Sequence, residues 1–116
     1  MSPVIYEVRD YHYRPDLIGA YRVWADEAAQ ILKAHLDVVG FWVDEGRYEP
    51  LVKGSDPFDS PIGHANVTWI IRWESREARE VGYPKAFAGP DWASVKMKHP
   101  DTDGYRQMTV RFMDAL

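Results

Sequence analysis

Glu7, Arg9, Tyr11 and Tyr13 stand two residues apart in the segment from Val4 to Tyr13. On a β-strand that spacing sends all four side chains to one face, with successive members about 7 Å apart. A carboxylate, a guanidinium and two phenols in file offer a definite chemistry. Glu7 is a candidate general base, Arg9 a clamp for a carboxylate or enolate, and Tyr11 and Tyr13 donors to a substrate oxygen. The same pair, Glu7 and Arg9, also reads as a structural ion pair or a contact across a dimer, because buried ions persist when paired. Burial raises a carboxyl pKa and a neighbouring guanidinium lowers it, so the two effects together predict no net shift for Glu7. His64 follows a long irregular stretch and precedes an apolar run. Beside a cavity mouth it would be the proton shuttle, since histidine titrates near neutral pH, but a lone loop histidine is more often simply solvated.

These residues need elements to hold them. Val4, Tyr6 and Val8 form the second, mostly apolar face of the first strand, with Ile5 joining the charged face. Pro15 then breaks the pattern, and Asp16 is placed to cap a helix. Leu17, Tyr21, Trp24, Ala28, Ile31 and His35 recur at steps of three and four, the stripe of an amphipathic helix. Val38 to Val43 reads as a short strand. Residues 45–63 are a turn-rich excursion with Gly46, Pro50, Gly54, Pro57, Pro61 and Gly63, the kind of long loop that often serves as a lid. Val67 to Trp73 is apolar or aromatic at almost every position, as in a buried strand. Ser75 opens a second helix that Gly82 and Pro84 are expected to interrupt, Asp91 starts a third, and Tyr105 to Met113 alternates as a last strand.

The order is strand, helix, strand, strand, helix, strand: an α+β, ferredoxin-like βαββαβ sandwich with a four-stranded antiparallel sheet. Two helices cover one face of such a sheet. Val67, Trp69, Ile71 and Trp73 share one face of the third strand, with Ile70 on the other, and a bare tryptophan face would be a large sticky patch. The expectation is that two copies close their sheets on each other as a homodimer. Trp42, Trp69, Ile71, Trp73 and Tyr105 would then wall a pocket for a hydrophobic or aromatic ligand, although core packing explains strand aromatics equally well.

Composition narrows the rest. The 116 residues suit a single domain, 1–116. There is no cysteine, which excludes a disulfide framework and a thiol nucleophile and fits a reducing, cytoplasmic setting. The formal charge is −4 without a basic stripe, so no nucleic-acid partner is expected, and no apolar run or leader pattern points to a membrane. Sixteen aromatic residues (five Trp, seven Tyr and four Phe) are many for this length and favour a lined pocket or a buried interface. Nothing resembles a phosphate-cradling loop, a nucleophile elbow or a dinucleotide fingerprint, and no cofactor is expected. Asp56, Asp59 and His64 could ligate a metal only through a special loop fold, and no metal is expected.

Three blocks resemble the NIPSNAP family of dimeric α/β-barrel proteins. Ile5 to Tyr11 followed by Pro15 is similar to the family's opening strand. Lys33, Ala34 and His35 leading into Val39, Gly40, Phe41 and Trp42 form the second block. Arg72, Trp73, Glu74 and Ser75 with Glu77 and Arg79, then Asp91 and Trp92, form the third. The chain departs from the family at Trp69, Ile70 and Ile71, where many members carry His-Leu-Trp, in its longer loop, and at Pro84. The resemblance implies a homodimer with an internal cavity, related in architecture to cofactor-free monooxygenases and isomerases. The expected function is a cofactor-independent enzyme performing proton transfer or oxygenation on a hydrophobic or aromatic carbonyl compound, with Glu7, Arg9 and His64 as its catalytic residues; the alternative is a non-catalytic homodimeric binding or scaffold protein.

Overall fold

A computed structural model describes residues 3–116, so the first two residues of the expected domain lie outside it. Strand β1 (Ile5–Tyr13) leads through a 3-10 turn (Pro15–Leu17) into α1 (Ile18–His35). Strands β2 (Val38–Val43) and β3 (Val67–Trp73) follow, then α2 (Arg76–Ala86), α3 (Pro90–Lys96) and β4 (Tyr105–Asp114). The sheet runs β2-β3-β1-β4 with every neighbouring pair antiparallel. This is the α+β, ferredoxin-like arrangement expected from the order of the elements. Among the described residues no helix is long and apolar enough to cross a membrane.

Pairing fixes which residues share a face. Ile5, Glu7, Arg9 and Tyr11 lie opposite Trp73, Ile71, Trp69 and Val67. On β4 the partners of Glu7 and Tyr11 are Phe112 and Met108. This face lies against the helices: Tyr13 packs on Tyr21 of α1 with ring centroids 4.5 Å apart, and Arg79 of α2 reaches Glu7. Ile71 and Val67 are completely or almost completely buried there. The tryptophans therefore lie under the helices, and the expectation of a bare tryptophan face that a second copy must cover is corrected. The helix-free face mixes Tyr6, Val8, Ile70 and Trp42 with Asp10, Thr68 and Arg111.

Helix α1 owes its place to its apolar stripe, with Tyr21, Trp24, Ala28 and Leu32 all buried. Trp24 also ties α1 to α3 by donating its indole N–H to the Val95 carbonyl at 2.7 Å. Asp16 does not cap this helix. Its carboxylate is held by Arg14 at 2.6 Å, and Leu17 occupies the cap position without a side-chain bond. Ser75 does cap α2, accepting from the Ala78 N–H at 3.0 Å. Neither Gly82 nor Pro84 interrupts α2, which runs on to Ala86. Pro84 falls in the last turn, so only a short stretch of helix follows it. Gly82 is required by packing: a β-carbon there would stand 2.8 Å from the Trp73 ring.

Candidate functional site

The cavity of interest lies between the helix-covered face of the sheet and the helices. Its volume is about 410 Å³, within the range of small-molecule sites. Arg9, Tyr11 and Trp69 form part of its floor, while Tyr21, Trp24 and Leu32 of α1 line one side. Tyr83, Phe87 and Trp92 close the other side, and His99 and Tyr105 stand at one end. Lys96, Thr102 and Met108 are exposed and mark the rim. None of the lining residues comes from positions 44–66.

Glu7 anchors the floor. It is fully buried and receives four hydrogen bonds. Arg9 donates to it at 2.6 Å, Arg79 through two nitrogens at 2.9 and 3.3 Å, and the Trp73 indole at 3.1 Å. Burial pushes the Glu7 carboxyl pKa up, but hydrogen bonds and charge from Arg79 and Arg9 outweigh it, so the net shift is downward. The expected cancellation fails because the fold brings Arg79 to Glu7 as a second guanidinium beside Arg9. An ionised carboxylate with every lone pair engaged is a poor general base.

Arg9 is the turning point between this anchor and the cavity. Its Nη1 serves Glu7, and its Nε donates to the Tyr11 hydroxyl at 2.7 Å. Its guanidinium lies 5.1 Å from the Tyr83 ring centroid and 5.6 Å from that of Trp69. Its Nη2 makes no hydrogen bond among the described residues. Burial opposes its charge, yet the Tyr11 and Glu7 oxygens outweigh this and leave it firmly protonated. The Tyr11 oxygen also accepts from the Trp69 indole at 2.9 Å. With both lone pairs engaged, the phenol retains only its own proton for a ligand.

A second chain of polar groups ends at the same cavity. The Asp101 backbone N–H donates to His99 Nδ1 at 3.0 Å, so Nδ1 carries no proton. Burial lowers the His99 pKa and keeps the ring neutral, which places its proton on Nε2. Nε2 is 2.8 Å from the Tyr105 hydroxyl, which is 3.1 Å from the Tyr21 hydroxyl. Burial pushes the pKa of both phenols up, and both stay protonated.

The sequence-based candidates divide. Arg9, Tyr11, Trp69 and Tyr105 meet at the cavity. Glu7 lies beneath it as an anchor. Tyr13 is spent on the fold, its hydroxyl donating to the Asp101 carbonyl at 2.8 Å. Ile71 and Trp73 are core rather than wall, Trp73 giving its N–H to Glu7. Trp42 pairs with Thr68, on the helix-free face, and is half exposed. His64 is exposed on the loop beside Phe58 and borders a separate recess with His12, so it cannot shuttle protons for this cavity. The loop itself is no lid over it. Among the described residues no cluster of three His, Cys, Asp or Glu is placed to hold a metal.

Arg79, Tyr83, Tyr21 and His99 belong to the site without being singled out by the sequence pattern. Tyr21 stands on the buried apolar stripe of α1, where a phenol among apolar side chains is the one sequence signal of a donor. Arg79 belongs to the third block that resembles the NIPSNAP family. His99 stands in a loop without any spacing signal.

No family model matches the chain, and no curated protein does. Solved structures do match. A NIPSNAP family protein of unknown function from Agrobacterium tumefaciens is 27% identical, with 97% of this chain and 88% of that one covered and a TM-score of 0.67. The NIPSNAP resemblance holds. A putative antibiotic biosynthesis monooxygenase from Caulobacter crescentus matches over 99% of this chain and 92% of its own at 10% identity and a TM-score of 0.55. A dimeric ferredoxin-like protein of unknown function from Thermobifida fusca matches over 99% and 93% at 10% identity and 0.56. These last two share the fold alone.

Proposed function

We propose that this NIPSNAP-like chain is a homodimeric, cofactor-independent enzyme of the dimeric α/β-barrel type. It binds a flat hydrophobic or aromatic carbonyl compound in the cavity under its helices and promotes proton transfer or oxygenation. The carrying observation is the polar geometry of that cavity: Arg9 Nη2 and the Tyr11 hydroxyl proton are held ready on an otherwise aromatic floor. Donors fixed in place stabilise an oxygen as negative charge develops on it, which favours loss of a neighbouring proton to solvent. The monooxygenase-like neighbour supports the class, and the dimeric neighbour supports the assembly.

The engagement of Glu7 by four donors favours a second reading, a binding protein without chemistry. Two measurements separate them. Tryptophan fluorescence titration with an aryl ketone should show binding that weakens about tenfold in Arg9→Lys, which keeps the charge beside Glu7 but lacks Nη2. Deuterium uptake at the ketone's α-carbon in heavy water should then exceed the buffer rate. Binding without exchange leaves the second reading standing; no binding at all contradicts both.

A further inference from the structure

The cavity presents a one-sided set of polar groups. Arg9 and Tyr11 of β1, Tyr21 of α1, Tyr83 of α2, Lys96 of α3, His99 of the loop before β4 and Tyr105 of β4 are the titratable groups that line it. Glu7, the carboxylate beneath, is shared by two guanidiniums, so Arg9 keeps only part of a counter-charge.

The second chain has a direction. Because the Asp101 N–H occupies His99 Nδ1, the imidazole must donate from Nε2 to Tyr105. Tyr105, having accepted, donates to Tyr21 at 3.1 Å. The Tyr21 proton then has no taker among the described residues. Each link points the next donor the same way, and hydrogen bonds in such a chain polarise one another. The chain cannot deliver protons from outside, because the outer nitrogen of His99 is capped by backbone. Its effect is to fix Tyr21 as a donor.

We propose that the cavity binds its ligand's oxygen as an anion, a phenolate or enolate, with Tyr21 as a third donor beside Arg9 and Tyr11 and with His99 as the positioning residue that sets Tyr21's direction. This rests on the cavity being the ligand site and goes further, since it selects one ionisation state: phenols and enolisable carbonyl compounds bind with their oxygen deprotonated, the proton leaving to the buffer. A neutral ether or hydrocarbon of the same shape binds more weakly.

The test uses 4-nitrophenol, whose visible absorbance reports its ionisation, titrated with the full-length protein at a pH one unit below the free probe's pKa. The expected result is growth of the phenolate band on binding, with the apparent pKa of the bound probe lowered by about one unit, equivalent to about tenfold preference for the anion. Tyr21→Phe and His99→Leu should each bring that pKa back toward the free value. His99→Gln, whose amide N–H can still donate to Tyr105, should largely restore the wild-type value, a rescue that a purely structural role would not give. Binding with an unchanged or raised probe pKa overturns this inference and leaves the proposed binding site intact. Equal pKa values in Tyr21→Phe and wild type overturn the role of Tyr21. Absence of any binding, by absorbance and by tryptophan fluorescence, overturns the proposed function together with the inference.

Discussion

The two faces of β1 carry similar residue types and use them differently. On the helix-covered face, Glu7 is sealed from water and satisfied by Arg9, Arg79 and Trp73. On the helix-free face, Asp10 keeps 23% of its side chain exposed and meets Thr68 at 2.6 Å and Arg111 at 3.2 Å. Alternation alone makes two such faces equivalent. Burial separates them, because a carboxylate out of water must have its charge and lone pairs answered by protein. The structure meets that demand with two guanidiniums, and the cavity inherits what remains of Arg9.

The contrast is broken most directly by removing each acid in turn. Glu7→Ala leaves Arg9 and Arg79 facing each other with their shared counter-charge gone, and should cost about 3–5 kcal/mol in urea unfolding. Asp10→Ala should cost about 1 kcal/mol or less, since solvent takes over most of its role. Equal losses would show that the two faces do not differ as described. The pH dependence has the same origin. The folded-state pKa of Glu7 lies below its ordinary value of 4.5, so its contribution is complete above that value and is lost as pH falls through the depressed one. The acid-induced loss of stability should therefore be shallower in Glu7→Ala. His99 adds a smaller effect: its pKa is also depressed, so it costs stability as pH falls below its ordinary 6.5, where the unfolded chain takes up the proton first.

Tyr11→Phe sharpens the comparison from inside the covered face. It removes the acceptor for both Arg9 Nε and the Trp69 indole, and the two stranded donors should cost about 1–3 kcal/mol by the same assay. His64→Ala should give the smallest effect, within about 0.5 kcal/mol and without change in ligand binding, because its ring is exposed on the loop beside Phe58 and does not line the cavity. A binding defect in His64→Ala would mean that the recess beside His12 serves the site after all.

Much of the fold was legible because its signals are local. The period of the Tyr21–Trp24–Ala28 stripe, the alternation of β1 and the Ser75 cap all follow from the backbone geometry of a few residues. What could not be read was which face of the sheet the helices take. Residues two apart on a strand report only that they share a side, so Trp69 and Trp73 looked like a bare surface when they are the floor beneath α1 and α2. The site was half legible for a similar reason. Glu7, Arg9 and Tyr11 are neighbours along one strand, but Arg79 reaches Glu7 from 72 residues further on, and His99 joins the cavity through its bond to Tyr105, both by tertiary packing. Asp16 and Pro84 failed for a different cause: a nearby guanidinium outcompeted the helix N-terminus for Asp16, and the last helical turn tolerates a proline that an interior turn would not.

The central claim is that the aromatic cavity under the helices, and not the helix-free face or the loop recess, receives the ligand. A crystal structure of the protein soaked with 4-nitrophenol tests it directly. The expected result is the probe's phenolic oxygen within hydrogen-bonding distance of Arg9 Nη2 and the Tyr11 hydroxyl, with its ring among Trp69, Tyr83 and Trp92. A probe lodged instead beside His12 and His64, or on the Trp42 side of the sheet with the cavity empty, would contradict it.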